Sequence, residues 1–172
     1  MSLRHSLIAS SLILAPITIL GFGSAAFANN PNDSVIATGN VPSIIAIDTT
    51  ATAAASALPM AAGAQTAHIA NVYITSNNTA GITITATSTN SGELVSDNNP
   101  ADNINYTVAI VNDGATAPSS GTAIGSLSQS ETTGFNATTG VKPMDLYIIY
   151  TVPTLPKKGG YSDTITLTVA DN

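Results

Sequence analysis

The clearest alternation of apolar and polar positions lies in residues 161–170, at the end of the chain. One set of alternate positions holds Tyr161, Ile165, Leu167 and Val169. The other set holds Ser162, Thr164, Thr166 and Thr168. A period of two over this length predicts a β-strand with one buried face and one solvent face. Asp163 interrupts the apolar face near the start of the strand, where we expect its carboxylate to reach water.

Similar patterns upstream predict a chain of short strands separated by turns. Strands are expected at residues 67–75, 82–87, 104–111 and 145–152, with shorter candidates at 92–95 and 122–127. The first two strands flank the turn-forming run 77–81, so they are predicted to pair as a hairpin. Residues 145–152 are apolar on both faces, which is typical of a strand in the middle of a sheet.

The remaining segments are less regular. Residues 34–48 form a long extended segment that Gly39, Asn40 and Pro42 are expected to split. Residues 49–65 are rich in Ala and Thr, lack a large apolar stripe and are predicted to be a loop or edge segment. Residues 128–140 are predicted to be a connection. The whole pattern gives roughly seven to nine short antiparallel strands, the arrangement of an all-β sandwich.

The first 28 residues have the features of an export signal. Arg4 and His5 give a short basic start, and residues 7–22 form a mostly apolar run. Ala26-Phe27-Ala28 then matches a small-x-small cleavage site. We therefore predict a signal peptide at 1–28 and one domain at 29–172, exported through the Sec pathway to the periplasm and then to the cell surface or an extracellular fibre. No other apolar run is long enough to predict a stable membrane span.

The composition narrows the possible functions. The chain has ten acidic residues against four Lys and Arg, and charged residues make up only 8% of it. Nucleic-acid binding is not expected, because it needs clustered basic residues and the chain has only the pair Lys157-Lys158. The absence of cysteine rules out disulfides, so stability must come from an apolar core and hydrogen-bonded sheets.

Candidate chemical groups are few. His68 is the only histidine beyond the predicted signal, and it is expected to be structural or at the surface. Asp97 and Asp102 lie in an Asn-rich loop that offers oxygen ligands for calcium, although the spacing is not that of a known calcium motif. No nucleophile–base pair or zinc ligand set is present in the sequence. The sequence therefore predicts a protein that is not an enzyme and that uses no cofactor.

The run from Gly160 to Val169 resembles the C-terminal strand of bacterial chaperone–usher pilus subunits, in particular the spore-coat-U-like and alternate pilin group. Residues 34–48 resemble the N-terminal part of such subunits. The chain departs from the spore-coat-U-like pattern because it has no cysteine. The resemblance implies an immunoglobulin-like sandwich that lacks one strand, which the N-terminal extension of a neighbouring subunit supplies by strand addition.

On this resemblance, residues 29–41 would be the extension that a neighbouring subunit accepts. Val35, Ala37, Gly39 and Val41 would form the inserting face. Ile165, Leu167 and Val169 would line the acceptor groove. The implied partners are copies of the same chain or related subunits, a periplasmic chaperone and an outer-membrane usher.

Two other hypotheses remain open from the sequence. The first is a self-contained secreted β-sandwich, acting as a binding or surface-matrix protein, whose first strand pairs within its own sheet. The second is a fibre-forming matrix protein of another family.

Overall fold

The computed structural model describes residues 35–172, so the predicted signal peptide lies outside the described residues. Within them are ten strands and one short helix. The strands are β1 (Ile45–Ala51), β2 (Gly63–Ser76), β3 (Ile82–Ser88), β4 (Glu93–Ser96), β5 (Asn103–Asn112), β6 (Thr122–Ala123), β7 (Ser128–Glu131), β8 (Val141–Val152), β9 (Tyr161–Ser162) and β10 (Ile165–Asp171), and the helix is α1 (Ala53–Ser56). The prediction of an all-β, antiparallel, sandwich-like fold is confirmed.

The strands form two antiparallel sheets. The large sheet has the order β1-β2-β8-β5-β4-β9, with β6 paired to β5. The small sheet has the order β10-β3-β7. Strand β8 lies in the interior of the large sheet between β2 and β5, as the two-sided apolar pattern of 145–152 predicts.

One apolar core joins the two sheets. Side chains from alternate positions of the long strands are almost completely buried, because a period of two directs them all to the same side of a sheet. The large sheet contributes Val72, Ile74, Val108, Ile110, Leu146 and Ile148. The small sheet contributes Ile82, Ile84 and Ala86.

The predicted hairpin between residues 67–75 and 82–87 is wrong. Strand β2 pairs with β1 and β8, whereas β3 pairs with β10 and β7, so the turn at 77–81 carries the chain from one sheet to the other. Gly81 is required in this turn. It adopts a positive φ of 87°, and a side chain there would collide with the backbone of Glu131 and Thr132.

The predicted last strand is in fact two strands in different sheets. Residues 161–162 (β9) pair with β4 at the edge of the large sheet, and 165–171 (β10) pair with β3 in the small sheet. The break falls at Asp163 and Thr164. A continuous alternation therefore hides a crossing between sheets, because both strands direct their apolar side chains towards the same interior.

The first extended segment is shorter than predicted. Residues 35–44 have no regular secondary structure, and β1 begins at Ile45. Residues 53–56 form one helical turn where a loop or edge segment is predicted. Residues 128–131, predicted as part of a connection, form the edge strand β7.

Candidate functional site

An apolar groove lies between the outermost strands of the two sheets. Strand β1 is the last strand of the large sheet on one side, and β10 is the last strand of the small sheet. The groove between them has a volume of about 690 Å³. Its walls include Ile47 and Ala51 of β1 and Ile165 and Leu167 of β10, and its floor is formed by Ile69, Ala70, Leu94, Tyr106, Leu146 and Ile148.

The strand β10 is incompletely covered on its apolar face. Its inward residues Ile165, Leu167 and Val169 are only half-buried. On the neighbouring strand β3, Ile82 and Ile84 are 0% exposed. Both strands alternate in the same way, but β3 is hydrogen-bonded to a strand on each side, whereas β10 pairs only with β3 and approaches β1 without pairing with it.

Both walls of the groove also offer backbone hydrogen bonds. β1 pairs only with β2, and β10 pairs only with β3, among the described residues. Each strand therefore has an outer edge whose N–H and C=O groups alternate towards the groove. Such an edge is a template on which another extended chain can add as a strand.

One end of the groove is built around a buried hydroxyl. Tyr106 of β5 donates a hydrogen bond from its hydroxyl to Asp163 Oδ2 at 2.8 Å. Asp163 Oδ1 accepts from the backbone N–H groups of Asn90 at 3.0 Å and Thr164 at 2.7 Å. Burial and the hydrogen bond to Asp163 raise the pKa of the Tyr106 phenol above its ordinary value.

Asp163, which is expected to reach water, keeps only part of its solvent exposure. Its side chain is half-buried and accepts hydrogen bonds from three donors. These bonds fix the backbone where the chain leaves β9 and starts β10. Asp163 thus belongs to the groove, where it lies beside the lining residues Tyr161 and Ile165.

The connection between β1 and β2 also lines the groove. In this connection (residues 52–62), Leu58 and Met60 pack against the core. It is held to the large sheet by the backbone N–H of Thr52, which donates to Ile69 O at 2.9 Å. The hydroxyl of Tyr150 donates to Pro59 O at 2.7 Å. The connection is therefore a fixed part of the groove.

The residues of the predicted inserting face lie outside regular structure. Val35 is 93% exposed and Val41 is 81% exposed, and Ala37 and Gly39 are exposed as well. Of the predicted acceptor residues, Ile165 and Leu167 line the groove. Val169 lies farther along β10, where it pairs with Ile84, and is not among the lining residues.

His68 forms a separate polar cluster on the opposite face of the large sheet. Its Nε2 lies 3.0 Å from Ala70 O and 3.2 Å from Asp145 Oδ1. Ala70 O and the Asp145 carboxylate are both acceptors, so this geometry fits the tautomer whose Nε2–H donates to Ala70 O. The ring stacks on Tyr147 with centroids 4.9 Å apart, and Asp145 Oδ2 accepts from the N–H of Gly114 at 3.1 Å. This geometry fits a structural histidine next to the irregularity in β2 between His68 and Ala70.

The Asp97 and Asp102 oxygens bind neighbouring backbone and amide groups. Asp97 Oδ1 accepts from Gly160 N at 2.9 Å, and Asp102 Oδ2 accepts from Asn99 Nδ2 at 3.2 Å. In residues 35–172, no group of three or more His, Cys, Asp or Glu side chains is arranged to hold a metal ion. The bond to Gly160 supports the loop at the groove's end, which is a structural use of Asp97.

Sequence reasoning missed most of the groove. Tyr106, Leu58 and Met60 are distant from β10 in the chain, and no local pattern joins them to it. The one available signal was Asp163, a charged residue in the apolar half of an alternating strand. Such a residue needs a polar partner on the buried side, and that partner is Tyr106.

The chain matches no protein-family model and no curated protein sequence. Within residues 35–172, no helix is long and apolar enough to cross a membrane.

Proposed function

We propose that this protein is a non-catalytic structural subunit of a bacterial surface fibre, pilus-like in its assembly. Subunits would join when the N-terminal extension of one copy adds as a strand in the groove of the next. The observation that carries the proposal is the groove between β1 and β10, with an open strand edge on each side and a half-buried row of aliphatic side chains.

The extension has the properties of a strand that needs a partner. Val35 and Val41 are bulky and exposed, and Ala37 and Gly39 between them are small. In an extended chain these four alternate positions face the same side, and three of them carry a side chain. Main-chain hydrogen bonds to the groove's edges would give affinity, and the match of side chains to the groove would give specificity.

Deletion of residues 29–41 tests the proposal. The protein beginning at Asn29 should form filaments or detergent-resistant oligomers, measured by light scattering after size-exclusion chromatography and by electron microscopy. The deletion variant should be a folded monomer, with an unchanged circular dichroism spectrum, that binds a synthetic peptide of residues 35–41. Normal polymerisation of the deletion variant would contradict strand addition by this segment.

The peptide binding needs a matched control. A peptide with Val35 and Val41 both replaced by Asp keeps the length and the backbone but loses the apolar face, so it should not bind. If the Asp-substituted peptide bound with equal affinity, the apolar side chains of the extension would not contribute to binding in the groove. Under this proposal, a periplasmic chaperone would cover the groove before assembly and an outer-membrane usher would assemble the fibre.

One observation favours a second candidate, a self-contained secreted binding protein. The groove volume of about 690 Å³ lies within the range of small-molecule sites, and its lining is mainly apolar. An apolar molecule would then occupy the space that the strand is proposed to fill. A stable monomer beginning at Asn29, which binds an apolar fluorescent probe but not the 35–41 peptide, would favour this candidate.

A further inference from the structure

The start of the folded domain is held by a single side chain from the turn at 77–81. Asn77 Oδ1 accepts from the backbone N–H of Ile44 at 2.8 Å, and Asn77 Nδ2 donates to Pro42 O at 2.9 Å. The backbone N–H of Asn77 also donates to Ile44 O at 3.3 Å. Three polar groups of one residue thus bind two residues, Pro42 and Ile44, on either side of Ser43.

The side chain of Asn77 acts where the backbone ladder ends. The paired register of β1 and β2 begins with Ile45 opposite Ser76, and the bond from Asn77 N to Ile44 O extends it by one position. Pro42 has no N–H, so the ladder cannot continue regularly beyond it. The carboxamide supplies one donor and one acceptor in place of the missing backbone groups.

The same segment is held from the opposite flank by the end of β10. The Ser43 hydroxyl donates to Asp171 Oδ2. The last residue is tied to the same turn as Asn77, because Asn172 N donates to Gly81 O at 3.2 Å and Thr83 Oγ1 donates to Asn172 Oδ1 at 2.5 Å. Residues 42–44 are therefore fixed relative to both the end of β2 and the end of β10, which forms one wall of the groove.

We propose that Asn77 and Asp171 are positioning residues that fix the direction in which the chain upstream of Pro42 leaves the domain. We call this pair the clamp. Pro42 reinforces it, since the residue before a proline is restricted to extended conformations. The consequence rests on the proposed function: because the upstream segment would fill the groove of a second copy, the clamp sets the angle between successive subunits in the fibre.

A merely structural role would predict a loss of stability, and the clamp predicts a different outcome. Asn77 and Asp171 are exposed, and their hydrogen bonds contribute little to folding because water can replace them. Asn77→Ala and Asp171→Ala should therefore fold with an intact groove. The deletion variant carrying either substitution should bind the 35–41 peptide with unchanged affinity.

The direct test is the mobility of the junction in the full chain carrying Val35→Asp and Val41→Asp, which keeps residue 40 and should stay monomeric because its extension no longer inserts. The chain has no cysteine, so Asn40→Cys accepts a single nitroxide spin label just before the clamp. We expect Asn77→Ala and Asp171→Ala each to shorten the label's rotational correlation time by about twofold, measured by electron paramagnetic resonance. Asp171→Asn keeps an acceptor for Ser43 and should restore the wild-type spectrum.

Asn99→Ala is the matched control. Asn99 also makes side-chain hydrogen bonds in an exposed turn, but only to Ala101 and Asp102. It should leave the label unchanged. Equal label mobility in the wild type, Asn77→Ala and Asp171→Ala would overturn the clamp.

The second test uses assembled fibres without the label. Asn77→Ala fibres should have a shorter persistence length and a wider spread of subunit-to-subunit twist in electron micrographs than wild-type or Asn99→Ala fibres. Fibres with unchanged twist would overturn the clamp's role in setting the angle. If the wild type forms no fibre at all, the proposed function and this consequence fail together, whereas the spin-label result still decides whether the clamp fixes the junction.

Discussion

Strands β3 and β10 lie side by side in one sheet and carry nearly the same pattern of side chains. The inward residues of β3 are Ile82, Ile84 and Ala86, and those of β10 are Ile165, Leu167 and Val169. The β3 residues are at most 2% exposed, whereas the β10 residues are half-buried. β3 has strands on both sides, β7 and β10, and β10 has one only on the β3 side.

The comparison separates two properties that an alternating pattern does not distinguish. Alternation determines which face of a strand is apolar, because successive side chains point to opposite sides. It does not determine how completely that face is covered, which depends on the strands that come next to it from elsewhere in the chain or from another molecule. The rest of the domain buries the apolar side chains of β10 only partly. The proposed function is based on this remaining exposed apolar surface.

The largest loss of stability is expected on the side of β3 opposite β10, where β7 is the edge strand of the small sheet. Glu131 of β7 forms an ion pair with Lys142 of β8, so the pair joins the two sheets. Lys142 is 5% exposed, and its Nζ also donates to Thr133 O at 2.8 Å. Glu131→Ala should lower the free energy of unfolding by about 3–5 kcal/mol, because it leaves a buried ammonium group without its partner.

Urea denaturation of the deletion variant, which is expected to be monomeric, measures this loss. The double variant Glu131→Leu/Lys142→Met is the control, since an apolar replacement of a buried ion pair is often neutral or stabilising. If Glu131→Ala and the double variant are equally destabilised, the loss reflects packing of β7 and not the unpaired lysine.

The next effect tests the covered face of β3 itself. Ile84→Ala removes a side chain that is 0% exposed, and it should lower the free energy of unfolding by about 2–5 kcal/mol. The cost includes the lost transfer free energy and the cavity that the rigid neighbours cannot fill. Thr85→Ala, on the exposed face of the same strand, should change stability by less than about 0.5 kcal/mol. Similar losses from the two substitutions would contradict the assigned faces of β3.

The sequence was sufficient for the fold class and for most of the strands. Residues 104–111 and 145–152 were assigned from their own alternation, and both lie in long strands of the large sheet. Strand partners were harder to predict. The turn at 77–81 has the composition of a hairpin loop, yet it joins two sheets. The alternation of 82–87 determines only that one face is apolar, and it fits either sheet that directs this face to the core.

The groove was predictable only on one side. The resemblance assigns Ile165, Leu167 and Val169 to an acceptor groove, and the first two line the groove of the structure. Tyr106 and Leu94 form its floor from distant parts of the chain. Contacts of such large sequence separation leave no mark on local periodicity. The sequence likewise identified Asn77 only as a turn former, because its bonds to Pro42 and Ile44 depend on the crossing between sheets.

The third largest loss of stability is expected just before β10, where Tyr106 donates a hydrogen bond to Asp163. Tyr106→Phe leaves Asp163 Oδ2 without this donor and should cost about 1–2 kcal/mol at neutral pH. The raised pKa of Tyr106 also predicts a pH dependence. Above about pH 10, the unfolded phenol releases its proton while the folded one keeps it, so the stability of the wild type should decline as the pH rises further.

Urea midpoints between pH 8 and pH 11 measure this decline, which should be less steep in Tyr106→Phe. Some slope should remain, because burial also raises the pKa of Tyr150. Parallel curves for the wild type and Tyr106→Phe would show that Tyr106 is not the group responsible.

The substitution with the smallest expected loss of stability most directly tests the difference in burial between β3 and β10. Leu167→Ala truncates a half-buried side chain with open space beside it, so we expect a loss of only about 1 kcal/mol in the free energy of unfolding of the deletion variant. The same substitution should weaken binding of the 35–41 peptide by about tenfold or more, since the peptide would complete the burial of Leu167 and tenfold corresponds to about 1.4 kcal/mol.

Thr166→Ala, on the opposite face of β10, is the matched control and should change neither quantity appreciably. Ile84→Ala should have the opposite effect. It should lower the free energy of unfolding of the domain and leave the affinity for the 35–41 peptide unchanged. A Leu167→Ala variant that loses as much stability as Ile84→Ala, with unchanged peptide affinity, would mean that β10 is already complete within its own domain. The proposed role of the groove would then be wrong.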